Sequence, residues 1–272
     1  MTDRYAVIGN PIGHSKSPLI HAEFARQTGQ DMAYTAILAA LDDFAETVRT
    51  FQAENGKGLN ITVPFKQEAW QLATRLTDRA QLAEAVNTLK FEADGSILGD
   101  NTDGAGLTRD ICDNHGISFA DKRVLLMGAG GAARGVLLPL LQQKPAHLTI
   151  ANRTAEKAVE LARHFAPYGQ VEGGDYARLA GHQFDIVINA TSASLSDQLP
   201  PLPTGVFATG ALAYDMMYGK GLTPFLQFAG DNGARLLADG LGMLVEQAAE
   251  SFLLWRGIRP QTEPVIAQLK SC

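Results

Sequence analysis

In NITVPFKQEA, residues 60–69, a lysine stands where the helix after Pro64 is expected to begin. Its amine is a cation and a hydrogen-bond donor, and in a suitable setting a proton donor. The first turn of a helix carries partial positive charge and favours Asp or Glu, so Lys66 is either an accident of a solvated surface or part of a site. A second stretch, GAGGAA at residues 128–133, follows the apolar run VLLM and opens a helix. It fits G-x-G-x-x-A. Gly128 makes the tight turn, Gly130 lets backbone approach a pyrophosphate, and Ala133 allows close packing of helix on strand. The N–H groups of that helix start, with Gly131 among its first residues, favour phosphate.

The end of the next strand selects the dinucleotide. NAD enzymes usually place Asp or Glu there to hold the ribose 2′-OH. This chain instead has Asn152-Arg153-Thr154, with Lys157 a turn later and no acid before Glu156. A carboxylate would repel a 2′-phosphate, whereas a guanidinium binds it through two hydrogen bonds and stacks on adenine. The expected cofactor is therefore NADP(H), although Arg153 by itself could be a solvated surface arginine.

Other functions are disfavoured by composition. Of 272 residues 46% are hydrophobic and 19% charged, as in a globular enzyme rather than a disordered chain. A net charge of −6 without a basic run offers no footprint for nucleic acid. Cys112 and Cys272 cannot form a disulfide framework, which suits a cytoplasmic location. The opening MTDRYAVIGN is not expected to be a signal peptide, and no apolar run is long enough for a membrane helix. His14, His21, His115, His147, His164 and His182 show no paired metal spacing, so no metal is expected.

These residues need elements to position them. RYAVIG, MAYTAIL and GLNITV read as strands, separated by a helix from Ser17 to Gly29, with Ser17 as N-cap and Pro18 at its first position, and by the amphipathic LDDFAETVRTFQAEN. NTLKFEADGSILGDN reads as a hairpin turning on Asp94-Gly95. After residue 104 the runs RVLLM, HLTIA, FDIVIN and GALAYDMM read as strands of a second unit. LGMLVEQAAESFLLWRG and TEPVIAQL then read as closing helices. Alternating strands and helices imply an α/β fold with mostly parallel sheets.

GNPIGHSKSP, NITVPFK, AVNTL, GDNTDGAG, GAGGAA, NRT, NATS and EQA occur in this order along the chain. In that combination the sequence resembles the shikimate dehydrogenases over its whole length. The resemblance implies reversible NADPH-dependent reduction of 3-dehydroshikimate to shikimate, on the way to aromatic amino acids. It also implies an N-terminal α/β substrate domain over residues 1–104, a Rossmann NADP-binding domain over 105–239, and C-terminal helices over 240–272 that pack back on the first. The active site is expected in the cleft.

The resemblance assigns Lys66 and Asp103 to catalysis, with Asp103 orienting the amine. Ser15 and Ser17 are to hold the substrate carboxylate. Asn60, Thr62, Asn87, Asp103 and Gln247 are to surround its hydroxyls, with Tyr218 close by. Ser17 before Pro18 is also an ordinary N-cap, and Gln247 flanks the helical stripe Leu241, Val245, Ala248, Phe252. On the cofactor side the resemblance adds Ala129, Gly130, Ala132, Asn152, Arg153, Thr154 and Thr191, with Met216 and Gly240 near the nicotinamide. Three alternatives are a quinate/shikimate dehydrogenase that accepts NAD, a folate-linked NADP dehydrogenase, and a non-catalytic NADP-binding regulator. NRT argues against the first, the serine pair with Asn60 and Asn87 against the second, and retention of Lys66 and Asp103 against the third. The oligomeric state is a monomer or homodimer.

Overall fold

The computed structural model describes residues 2–191 and 200–271; Ser192 of the NATS motif and Cys272 lie outside them. The chain divides into two compact units, Met1–Gly106 with Leu244–Cys272, and Leu107–Met243.

The first unit is built on six strands: β1 (Asp3–Gly9), β2 (Met32–Leu38), β3 (Gly56–Ile61), β4 (Arg75–Leu76), β5 (Thr88–Phe91) and β6 (Ile97–Asp100), in the order β2-β1-β3-β5-β6-β4. Only β5 runs against the rest, because β5 and β6 form the expected hairpin. Gly95 supplies the left-handed residue of its turn, φ 85°, while Asp94 Oδ1 accepts the Ser96 N–H. Four helices fill the connections: α1 (Ser17–Thr28), α2 (Phe44–Ala53), α3 (Lys66–Leu72) and α4 (Asp78–Ala83). Helix α5 (Asp103–Arg109) follows β6 directly and runs into a π-turn at Asp110–Asn114. One core of this unit sets Ile8, Leu59, Ile61 and Leu89 of the sheet against Phe44, Val48, Phe51 and Phe65.

The second unit holds β7 (Arg123–Met127), β8 (His147–Ala151), β9 (Val171–Gly174), β10 (Phe184–Asn189), β11 (Phe207–Asp215) and β12 (Leu236–Ala238). All its pairings are parallel, in the order β12-β11-β10-β7-β8-β9. Renumbered from β7 this is 3-2-1-4-5-6 read from the other edge, the order of a Rossmann sheet, whose switch point lies between β7 and β10. Helices α6 (Gly131–Gln142), α7 (Ala155–Phe165) and α8 (Pro224–Asp231) make three of the crossovers. Helix α9 (Leu241–Arg256) follows, its residues from Leu244 onward belonging to the first unit together with α10 (Glu263–Lys270). Among the described residues no helix is long and apolar enough to cross a membrane.

One local expectation is corrected. Ser17 does not cap α1. Lys16 is already helical, φ −84° and ψ −7°, and its carbonyl accepts the Ile20 N–H at 3.1 Å, so Lys16 is the cap and Ser17 lies inside the first turn. The Ser17 N–H is taken by Ser15 Oγ at 3.3 Å instead. The capping-type bond thus belongs to Ser15, and the Ser17 hydroxyl faces the Tyr34 phenol.

Candidate active site

Lys66 is the first residue of α3, after Phe65 as N-cap. Its carbonyl accepts the Val86 N–H at 2.8 Å, which ties the start of the helix to the segment leading into Asn87 and β5. Its Nζ donates to Asp103 Oδ2 at 2.6 Å, with side-chain exposures of 31% for the lysine and 13% for the aspartate. The negative charge that a helix start calls for is therefore present. The first residue of α5 brings it against the amine, in addition to Glu68 in the first turn of α3 itself.

Asp103 is held by the segment before it. Asp100, at the end of β6 and buried, takes two hydrogen bonds from the Arg79 guanidinium at 2.7 and 2.5 Å, one from the Thr77 hydroxyl at 2.6 Å and one from the Asn101 N–H at 2.8 Å. Burial alone would raise the Asp100 pKa, but the hydrogen bonds and charge of Arg79 outweigh it and hold the carboxyl below its ordinary range. Asn101 donates to the Ala85 carbonyl at 3.0 Å, and its Oδ1 accepts the Asp103 N–H at 3.2 Å.

Behind the ion pair lies a buried polar network. Asn87 Nδ2 donates to Asp103 Oδ1 at 2.8 Å and lies 2.9 Å from Thr102 Oγ1 and 3.3 Å from Gln247 Oε1. Its Oδ1 accepts the Thr102 N–H at 2.9 Å and the Thr88 hydroxyl at 2.8 Å. Asn60 Nδ2 reaches Ser251 Oγ at 2.9 Å, Thr88 Oγ1 at 3.1 Å and the Asn87 carbonyl at 3.3 Å, while its Oδ1 accepts from the Tyr34 hydroxyl at 2.7 Å. Gln247 and Ser251 sit one turn apart on the same face of α9, and Trp255, one turn further, donates from Nε1 to the Leu89 carbonyl at 3.0 Å and so fixes the helix on β5.

The structure thus joins Lys66, Asp103, Asn87, Gln247 and Asn60 in one hydrogen-bonded cluster within the first unit. Ser17 is buried against the Tyr34 phenol, whose pKa burial pushes well above 10 with the Ser17 hydroxyl opposing. Ser15 and Thr62 are half-buried and outside the cluster. Tyr218 belongs to the second unit and shares none of these bonds. Burial first, and then the Asp239 charge, raise its pKa and keep the phenol neutral.

In the second unit the glycine turn sits at the switch point. Gly128 has φ 107°, and a Cβ there would lie 3.1 Å from the Ala190 carbonyl oxygen beyond β10, so only glycine fits. Nothing lies within 4 Å of a Cβ built on Gly130 or Gly131, and Ala132 is exposed. Ala129 is half-buried, and Ala133, in the first turn of α6, is wholly buried. An open, amide-lined helix start of this kind accommodates a pyrophosphate. Asn152 Nδ2 donates to the Thr154 carbonyl at 2.9 Å, shaping the turn before α7. Arg153 and Lys157 are both exposed at that helix start, and neither forms an ion pair among the described residues. Thr191 N–H and Oγ1 both donate to Asn189 Oδ1, at 3.1 and 2.7 Å. Asn189 also holds Asp215, which accepts the Met217 N–H at 3.0 Å and the Thr223 hydroxyl at 2.6 Å. Met216 and Gly240 meet through backbone, with Gly240 N–H on the Met217 carbonyl at 3.1 Å. Among the described residues no group of three or more His, Cys, Asp or Glu is placed to hold a metal ion.

Residues 7–89 match the shikimate dehydrogenase substrate binding domain, 110–196 the shikimate/quinate 5-dehydrogenase family and 240–270 the shikimate 5′-dehydrogenase C-terminal domain. A shikimate dehydrogenase (NADP(+)) of Nitrosospira multiformis is 67% identical over 271 residues, covering 100% of this chain and 98% of its own. The chain belongs to the shikimate dehydrogenase family. Among solved structures, an Ael1 enzyme from Pseudomonas putida superimposes with a TM-score of 0.94 at 56% identity, covering 98% of each chain. A shikimate 5-dehydrogenase from Thermus thermophilus, solved in complex with NADP(H) and shikimate, gives 0.86 at 29% identity, again with 98% of each chain covered.

Several residues that hold the cluster together lie within the quoted motifs without being singled out by the sequence. Thr88 lies in AVNTL, and Asp100, Asn101 and Thr102 lie in GDNTDGAG. Their polarity is the available signal, since a hydroxyl, amide or carboxylate at a buried position needs a partner. Tyr34, Arg79 and Ser251 lie in no motif, and only the fold brings them to the cluster.

Proposed function

We propose that the chain catalyses the reversible, NADPH-dependent reduction of 3-dehydroshikimate to shikimate. The observation that carries this reading is the Lys66–Asp103 pair at 2.6 Å, set against a wall of amides and hydroxyls suited to a polyhydroxylated ring. When bound, NADPH supplies the hydride that reaches the substrate carbonyl carbon. Lys66 donates a hydrogen bond or a proton to the carbonyl oxygen as that oxygen gains alkoxide character. Asp103 orients the amine through Oδ2, and Asn87 keeps the carboxylate from rotating by holding Oδ1. Asn60, Thr62, Asn87 and Gln247 receive the ring hydroxyls, Tyr218 lies close to the ring, and Ser15 and Ser17 donate hydroxyls to the carboxylate.

NADP(H) is held on Gly128–Ala133, with Thr191, Met216 and Gly240 toward the nicotinamide end and Asn152, Arg153, Thr154 and Lys157 toward the 2′-phosphate. Two exposed cations without a carboxylate partner at a helix start favour an added phosphate over a free 2′-OH. In this reading residues 1–104 carry the substrate, 105–239 the coenzyme and 240–272 the closing helices. The enzyme works in the cytoplasm as a monomer or homodimer on a small molecule.

The test is absorbance at the NADPH band with shikimate, quinate or no substrate, using NADP and NAD in turn. Rapid, shikimate-dependent NADP reduction is expected. Equal rates with quinate or with NAD would favour the broader quinate/shikimate activity, and no reduction at all would end the reading.

A further inference from the structure

Tyr34 lies on β2, the edge strand of the first sheet, yet its hydroxyl points inward to the cluster and donates to Asn60 Oδ1 at 2.7 Å. The direction of that bond is fixed by the far side of the amide. Asn60 Nδ2 faces the Asn87 backbone carbonyl, which can only accept, as well as Ser251 Oγ and Thr88 Oγ1. The nitrogen must therefore stand on that side and the oxygen on the Tyr34 side, so the phenol is the donor. Both amide hydrogens are engaged within the protein. On the Oδ1 side Asn60 takes the Tyr34 hydroxyl and borders the buried His21 ring; the second Oδ1 lone pair accepts a hydroxyl hydrogen and cannot donate.

We propose that Tyr34 is a positioning residue of the substrate site, whose hydroxyl pins the Asn60 amide with one Oδ1 lone pair set to accept from a substrate hydroxyl. This rests on the reading of Asn60 as a substrate contact. The ring is seated for the task. It stacks on His21 at 4.2 Å between centroids and 9° between planes, with Trp255 6.3 Å away, so the hydroxyl has little freedom apart from rotation of its own hydrogen. Ser251 pins the other end of the same amide from α9, its own hydroxyl lying 3.1 Å from the Gln247 carbonyl.

Tyr34→Phe keeps the stacked ring and removes only the hydroxyl. It is expected to raise KM for shikimate about 3- to 10-fold, the range of one lost buried hydrogen bond, with kcat changed less than about twofold. KM for NADP should not move. Ser251→Ala should raise KM for shikimate in the same direction, and it serves as the second probe if the first variant is poorly folded. The deciding comparison is a cycle with Asn60→Ala, in which Tyr34→Phe should have no further effect on KM. An equal rise of KM in both backgrounds would reduce Tyr34 to a structural role and overturn the proposal, as would an unchanged KM in folded Tyr34→Phe. If Asn60→Ala alone leaves KM unchanged, the failure lies in the substrate-site reading, and the proposal falls with it.

Discussion

The Lys66 amine sits 2.6 Å from Oδ2 of Asp103, while Oδ1 of the same carboxylate accepts from Asn87 at 2.8 Å. Both oxygens are therefore committed, and the carboxylate cannot turn away from the amine without breaking a buried amide bond. The ion pair is partly open to water on the lysine side, and desolvating the aspartate offsets much of its attraction, so its net contribution to stability is small. Its value is geometric: a flexible four-carbon side chain is brought to one place and its charge kept there.

Replacement of Lys66 by alanine should lower kcat by about 10²–10⁴, the usual share of general acid–base catalysis, with a smaller change in KM. Steady-state kinetics with shikimate and NADP measure this directly. Near-normal turnover by a folded Lys66→Ala enzyme would remove the lysine from the chemistry.

Arg153→Ala should weaken NADP binding by about 1–3 kcal/mol, the scale of a charge-assisted contact, and leave NAD binding nearly unchanged. Since Arg153 is exposed and unpaired among the described residues, the substitution breaks no ion pair of the fold. Titration of coenzyme fluorescence with both nucleotides gives the two affinities. Loss of both to the same degree would point to a role at the shared part of the coenzyme, and no loss of either would end the assignment.

What was legible in the chain was local. The strand–glycine–helix of residues 124–142 lies within one short stretch and could be read from VLLMGAGGAA, as could the hairpin about Asp94-Gly95. Strand β9 was not legible because VEGG looks like a turn. Its glycine is a packing requirement, since a Cβ on Gly173 would lie 2.1 Å from the Ala158 carbonyl of α7. Strand β4, Arg75–Leu76, is too short to show alternation. In the site, Lys66 was found through its misplaced charge and Asn60 and Asn87 through motifs, but the groups that orient Asn60 are 26 and 191 residues away. No periodicity or spacing encodes such a contact. The Ser17-Pro18 pattern points to a cap at Ser17, but the chain turns helical one residue earlier, at Lys16.

Arg79→Met should destabilise the fold by about 3–5 kcal/mol, because it leaves the Asp100 carboxylate buried without its cation. Glu250, 3.8 Å from the same guanidinium, loses its attraction too. Urea unfolding at pH 7 measures the loss, and Asp100→Asn added to Arg79→Met should restore part of it by removing the orphaned charge. The pH dependence has a definite sign. The Asp100 pKa is depressed in the fold, so its stabilisation is present above the ordinary carboxylate pKa and fades as pH falls through the folded value. That acid-side loss should be smaller in Arg79→Met than in the parent. A loss below about 1 kcal/mol at pH 7 would mean that Thr77 and the Asn101 amide suffice to hold the carboxylate.

His21 gives the clearest effect of pH on stability. Its ring is wholly buried between Tyr34, Phe24, Phe252 and Trp255, and neither nitrogen has a hydrogen-bond partner among the described residues. Burial lowers its pKa to about 3, with the neighbouring Asn60 amide opposing weakly. Tyr34, the titratable side chain stacked on the ring, has a raised pKa and stays neutral throughout the range concerned. In the unfolded chain His21 takes up its proton near 6.5, whereas in the fold it does not until about 3. Between those values the unfolded state binds more protons, so stability contributed by the neutral histidine is full above pH 6.5 and is lost as the pH falls toward 3. Going from pH 7 to 4.5 should cost about 2–3 kcal/mol through this residue alone, at roughly 1.4 kcal/mol per unit. His21→Phe keeps an aromatic ring in the stack and cannot titrate. Urea unfolding of both proteins at several values from pH 7.5 to 4.5 cancels the carboxylate contributions they share, and the difference should widen steadily below pH 6.5. Parallel curves would mean that the buried imidazole accepts its proton in the native state, through a partner such as a buried water.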